Sequence, residues 1–216
     1  MKTVTHNSCI ETEIICSPDN KNTYCITKRL QGVEGETGII VMLFPTRNAD
    51  NMNADESTLN HIVAHLGDFG FNEVKIINLF SKVVNARISA RGLEVDSENM
   101  KFIDDVILAN KDLNKQKLIL AWGNSMETSK AVNESKKKII ETYLEKLPKG
   151  KIYQIVCPER DITDGACHPL FLGIRAKTAK WRLLEYNTNK ILADNKPTDK
   201  NSKKPTVSSA PTVKLK

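Results

Sequence analysis

No closely spaced CxxC pair occurs among the five cysteines, Cys9, Cys16, Cys25, Cys157 and Cys167, and their number is odd. That usage argues against a secreted disulfide framework and against an ordinary zinc site, and it fits a reducing cytoplasm. Also missing is any apolar run near the ~18 residues that a membrane span needs. The start, Met1-Lys2-Thr3-Val4-Thr5-His6, holds no apolar signal core. The expectation is a soluble, cytoplasmic protein without a membrane partner. A Walker loop, a Rossmann fingerprint and internal repeats are absent as well, so no motif implies a cofactor.

What is present is ordinary in size and uneven in charge. The 216 residues are 40% hydrophobic, enough to bury one core without disulfide staples. The net charge of +6 gathers at one end: Asn195 to Lys216 holds six lysines against Asp199, a net +5, which leaves residues 1–194 at +1. That end is rich in Pro, Ser, Thr and Asn and nearly free of large apolar groups, so burial cannot offset its ordering entropy. The expected organisation is a flexible N-terminus over 1–10, a single α/β domain over 11–194 and a disordered basic tail over 195–216. The tail reads either as an electrostatic arm for phosphates or as a solubilising terminus.

Within the domain, Glu13–Cys16 and Tyr24–Thr27 flank the turn formers Ser17-Pro18-Asp19-Asn20-Lys21-Asn22, which predicts an antiparallel hairpin at a sheet edge. Ile39-Ile40-Val41-Met42-Leu43 follows as a continuous apolar strand buried on both faces. Leu59, Ile62, Val63, Leu66 and Phe69 then recur at helical spacing, with Asn53 and Glu56 resembling a capping box and Gly70 a stop. Val74–Ile77 predicts a strand, Phe102, Ile103, Val106 and Ile107 a helix after Ser97, and Lys117–Trp122 a further strand. A long helix is expected from a capping box at Asn124 and Glu127 to Pro148-Lys149-Gly150, and Ile152–Val156 is the last clear core strand. The alternation predicts an α/β three-layer sandwich with a mostly parallel central sheet, because right-handed crossovers place helices on both faces.

In such sheets ligands bind at the carboxyl ends of the strands. Four segments end apolar runs in this way: Leu43-Phe44-Pro45-Thr46-Arg47-Asn48-Ala49-Asp50, Ile77-Asn78-Leu79-Phe80, Leu120-Ala121-Trp122-Gly123 and Asp164-Gly165-Ala166-Cys167-His168-Pro169-Leu170. Their order resembles an uncharacterised bacterial and phage family, a domain of unknown function whose pattern reads LNPSTAD, NLFA, AWG and a glycine-bearing loop with HPL. The resemblance covers about residues 23 to 175. The same order is similar to the uracil-DNA glycosylase superfamily, and the expected fold is therefore glycosylase-like.

That second resemblance implies roles. Breaking an N-glycosidic bond leaves negative charge on the departing base, so the pocket needs a donor to the base oxygen and a group that orients water. The matching positions make His168 the donor and Asn78 the reader of a flipped base's edge. Asp50 and Asn48 are the remaining catalytic candidates, since Phe44 stands where both families favour a polar residue and can neither activate water nor accept a proton. Phe44 offers a stacking surface instead. Pro45, Thr46 and Arg47 complete the first loop, with Arg47 suited to a phosphate. Trp122, Gly123, Asn124 and Ser125 would place an anion site at the start of the long helix.

Each assignment has a structural counterpart: His168 as a turn histidine, Asn78 as a strand-end residue, Phe44 and Trp122 as packing groups, and Arg47, Asn48 and Asp50 as a solvated capping loop. Cys157, Cys167 and His168 lack a fourth ligand, so no metal is assigned. His61 and His65, four apart on a helix, lack the HExxH glutamate and read as an exposed helix surface. The function expected is a glycosylase-like protein acting on or binding a nucleobase in nucleic acid or a nucleotide. The alternative is a noncatalytic nucleotide binder, or a phage-type modulator of a host protein partner, that keeps the pocket without the water-activating residue.

Overall fold

The turn formers after Cys16 close the expected hairpin. In the computed structural model, which describes residues 3–5, 7–46, 50, 56–84 and 88–193, strand β1 (Ile10–Cys16) runs antiparallel to β2 (Thr23–Leu30). Ser17 makes the turn compact, accepting the Asn20 amide on its carbonyl and donating its hydroxyl to Asp19 at 2.6 Å. The boundary expected at residue 194, the tail over 195–216 and parts of the N-terminus lie outside the described residues.

The apolar run then enters the middle of the sheet as β3 (Glu36–Met42). It is followed by helices α1 (Ser57–Ala64) and α2 (Leu66–Phe69), by β4 (Phe71–Asn78), and by helix α3 (Ser97–Phe102). Strand β5 (Gln116–Leu120), helix α4 (Lys130–Lys146), strand β6 (Ile152–Val156), helix α5 (Pro169–Arg175), strand β7 (Arg182–Glu185) and helix α6 (Asn189–Leu192) complete the order. The strands lie side by side as β1-β2-β4-β3-β5-β6-β7.

The sheet is mixed, which corrects the expectation of a mostly parallel one. β4, β3, β5 and β6 are parallel neighbours, while β1, β2 and β7 pair antiparallel. Two causes account for the difference. The hairpin forms the sheet edge as expected, and it joins β4 in antiparallel register, with Ile26 opposite Ile76. A four-residue strand, Arg-Leu-Leu-Glu, closes the other edge; half exposed, it lacks the apolar density that marks a strand in sequence.

The parallel strands alternate between two cores. Ile39 and Val41 pack with Leu118, Leu120, Trp122 and the apolar side of α4. Ile40 and Met42 pack on the opposite face with Ile119, Leu59 and Ile62 of α1, and Leu172 of α5. A strand buried on both faces needs no polar alternation, as the sequence pattern implied.

Helix boundaries moved more than strands. The stripe from Leu59 to Phe69 breaks at His65 into two helices, and Gly70 caps the second in the left-handed region at φ 72°. Glu56 takes the N-cap position of α1 without a side-chain cap bond, and Asn53 lies outside the described residues, so the capping box is not observed. After α3 the backbone widens into a π-turn over Ile103–Ile107, in which Leu108 N–H reaches back to Ile103 at 2.8 Å. The wider turn buries Ile103 and Ile107 but leaves Val106 51% exposed, outside the core where the stripe had placed it. Gly173 on α5 is required for contact with α1: a Cβ there would lie 2.0 Å from the His61 ring.

Candidate functional site

Because β4, β3, β5 and β6 are parallel neighbours, their carboxyl ends share one edge, and the loops that leave it are tied by backbone bonds. Leu79 and Phe80 donate to Met42 and Leu43, and Ala121 donates to Val41. Gly123 donates to Ala166 at 2.8 Å, joining the Trp-Gly turn to the His168 loop. A Cβ on Gly123 would sit 3.3 Å from His168 Cβ, and its φ of +67° suits glycine. The last two motif segments are thus brought into contact.

Gln154, buried on β6, holds the same loop by accepting the Ala166 amide at 3.0 Å. Asp164 is clasped by Lys190 of α6 and accepts the Gly165 amide. The Lys190 ammonium, then the Gly165 amide and Gln154, hold the Asp164 carboxyl below the ordinary carboxylate range. His168 occupies the N-cap of α5, where Nδ1 accepts the Leu170 amide at 3.2 Å. Burial lowers its pKa, so it is a neutral imidazole whose proton is on Nε2. Pro169 follows at the first helical position, where its missing N–H costs nothing. Cys167 Sγ donates to Asp164 O at 3.4 Å, and burial pushes the thiol's pKa up, away from a reactive thiolate.

The first two segments pack on each other and on the core that also takes Trp122 and Ala166. Phe44 stacks on Phe80 with centroids 4.8 Å apart. Pro45 accepts the Val84 amide, and Thr46 donates to Glu56 at 2.6 Å. Asp50 accepts from Asn20 of the hairpin turn at 2.7 Å. Arg47 and Asn48 lie outside the described residues. Asn78 ends β4 and is 2% exposed; its backbone carbonyl accepts from Asn99 Nδ2 at 2.8 Å, while among the described residues its side-chain Oδ1 meets no donor. Such an orphaned oxygen typically costs about 1–3 kcal/mol.

Asn124 and Ser125 are exposed turn residues, and they correct the expected anion site. Helix α4 starts at Lys130 with Ser129 as its cap, so these residues do not lie at the helix N-terminus. The correction has a local cause: Ser129 accepts the Val132 amide, and Asn133 Nδ2 folds back onto Glu127 O. His65 corrects another expectation: it is buried and stacked on Trp181 at 3.9 Å rather than exposed. Among the described residues no group of three His, Cys, Asp or Glu side chains is arranged to hold a metal.

An open groove of about 990 Å³ lies along α4, facing the 164–165 turn and α6. Trp122, Gly123, Asp164 and Gly165 bring two motif segments to its wall, and Tyr186 and Lys190, the latter bonded to Asp164, also line it. Phe44, Asn78, Asp50 and His168 are not among its lining residues, so the proposed catalytic and base-reading groups do not share this cavity. Its floor holds Lys136, which lies over the Trp122 ring with Nζ 5.3 Å from the centroid. Sequence reasoning passed over Lys136, although a signal existed. Its place four residues after Val132 and three before Ile139 puts a lysine on the apolar stripe of α4.

The model of a family described as "Protein of unknown function (DUF1643)" matches residues 24–170, more than half of the chain. No curated protein and no solved structure matches it.

Proposed function

Because the chain belongs to this DUF1643 family, we propose its function from site geometry: it binds a nucleotide in the groove along α4, without hydrolysing it. The observation that carries this reading is the groove itself, at the carboxyl edge of the parallel strands, where the Trp122-Gly123 turn and the Asp164-Gly165 turn meet. That is where ligands of open α/β sheets bind. Hydrolysis is left out of the reading because His168 and Asp50 do not line the groove, and because Phe44, an apolar ring stacked on Phe80, stands where the glycosylase resemblance wants a polar group to orient water. On this reading the helices on both faces form a three-layer, glycosylase-like sandwich that has kept a ligand edge. Isothermal titration and thermal melts with nucleoside mono-, di- and triphosphates test it. Binding with midpoint elevation and no free base in the chromatogram is expected. Release of base, or no response to any nucleotide, rejects it.

One feature favours a second reading, in which the protein cleaves an N-glycosidic bond in nucleic acid. His168 is neutral, and among the described residues its Nε2–H has no acceptor, so it has the donor form needed beside a developing oxyanion. Strand scission after alkali treatment, on single- and double-stranded DNA carrying uracil or other modified bases, distinguishes the readings. Abasic product that disappears in His168→Ala supports cleavage; none across the panel removes it.

A further inference from the structure

Lys136 is only 7% exposed, yet it is a cation on the apolar side of a helix. Its ammonium has the face of Trp122 and, among the described residues, neither a hydrogen bond nor a carboxylate at ion-pair distance. A buried charge without a counter-charge is costly unless a ligand supplies one. Burial also pulls its pKa below the ordinary lysine value, opposed only by the through-space field of Glu127.

The surrounding charges define what the ammonium can receive. Lys190 holds Asp164, and Lys137 stands 3.5 Å from Glu141, so two of the groove's acids are engaged. Glu127 and Glu134 remain on the wall, against Lys130, Lys136 and Lys138, which form no ion pair among the described residues. The excess is cationic, and its least hydrated member lies on the floor. A lysine is a point charge with three donors, and it suits a multi-oxygen dianion better than the planar, bidentate carboxylate that arginine matches. A dianion would also be shared among the flanking lysines.

We propose that the groove binds the phosphoryl group of a small phosphate ester, with Lys136 Nζ donating to its oxygens from above Trp122. The assignment rests on the reading of this groove as the ligand site, and it names the part of the ligand that the floor recognises. Trp122 holds the ammonium by its ring face, and both residues line the groove, so the phosphoryl group meets a cation already positioned there. Because the site carries its charge at a desolvated position, the contribution of Lys136 is less screened by salt than that of the exposed lysines.

The test is calorimetric titration of the full chain with pyrophosphate at fixed ionic strength, beside Lys136→Met and Lys136→Arg. Wild type should bind. Lys136→Met should weaken binding about tenfold or more, the effect of losing a hydrogen bond to a charged group, with a thermal midpoint equal to or above wild type. Lys136→Arg should retain most of the affinity. Equal binding by wild type and Lys136→Met, or no pyrophosphate binding by wild type, overturns the proposal. Should Lys136→Met fail to fold, lysine-Nζ NMR of the unmodified protein decides: a perturbation at Lys136 on adding pyrophosphate supports the site, and an unmoved Lys136 signal overturns it. Nucleosides without phosphate separate this outcome from the broader reading. Their binding without pyrophosphate binding rejects the phosphate site and leaves a nucleobase site standing. Lys136-dependent pyrophosphate binding without any preference for nucleotides does the reverse.

Discussion

Gly123 couples two constraints, a left-handed φ of +67° and a predicted Cβ contact of 3.3 Å with His168. Gly123→Ala should therefore cost about 1–2 kcal/mol from backbone conformation alone, and it should push the His168 loop away from the Trp122 turn. Urea denaturation reads the first effect; faster thiol labelling of half-buried Cys167, whose Sγ bonds within that loop, reads the second. His168 itself predicts a pH effect. Unfolded, an imidazole titrates near about 6.5; folded, burial holds this one lower. The unfolded state therefore binds more protons as pH falls below that value, and the contribution of His168 to stability, complete above it, is lost as pH falls through the folded pKa. Denaturation midpoints from pH 8 to pH 5 should fall less for His168→Asn, which keeps an acceptor for the helix cap, than for wild type. An identical slope in both would show that His168 is not the titrating group. At this scale the sequence was informative about residue type but not about setting: His168 was expected in a loop or turn, and it caps helix α5. The environment of Asn78, buried with an orphaned oxygen, depends on Asn99, which is distant in sequence and left no signal.

Elements are joined by a few polar clamps whose members are far apart in the chain. Asp68 of α2 accepts from His65 at 2.8 Å and from the Trp181 backbone amide at 2.9 Å, tying α2 to the start of β7. Burial raises the Asp68 pKa, but the hydrogen bonds from His65 and Trp181 outweigh it, so the carboxyl titrates below its ordinary value. The stabilisation is present above the ordinary Asp value of about 3.9 and is lost as pH falls through the folded pKa. Asp68→Ala should cost about 1–3 kcal/mol by leaving the Trp181 amide without its acceptor, and should alter the emission of fully buried Trp181. A second clamp is Asp96, which caps α3 by accepting from Asn99 N and also takes the Ser81 amide and hydroxyl after β4. Asp96→Ala should lower stability by about 1–2 kcal/mol, the range for a lost helix cap, measurable by chemical denaturation. Helix starts were the least legible feature for this reason. Asn124 with Glu127 has capping-box spacing, but a cap is decided by which backbone amide the side chain reaches, and Ser129 reaches Val132. Apolar stripes were more dependable, because burial depends on period rather than on one bond; the π-turn is where that period changed and Val106 came out of register.

At the scale of the whole molecule, charge and fold are separable. Residues 195–216 carry a net +5 against +1 for residues 1–194, and removing them should leave the thermal midpoint unchanged while weakening association with polyanions. Binding of single-stranded DNA as a function of salt measures this: log affinity should lose slope in proportion to the lysines that contact phosphate. An unchanged slope would make the tail a solubiliser only. The sequence by itself determined the four parallel core strands, the hairpin, the helical stripes and the loops at the carboxyl edge, because each depends on local periodicity and turn chemistry. Tertiary structure decided the rest: the antiparallel pairing of β2 with β4 and of β7 with β6, the absence of Phe44, Asn78, Asp50 and His168 from the lining of the groove, and the placing of Lys136 over the Trp122 ring. Those depend on which surfaces meet across dozens of residues, and a side chain's charge state and partners are set by that meeting rather than by its neighbours in the chain.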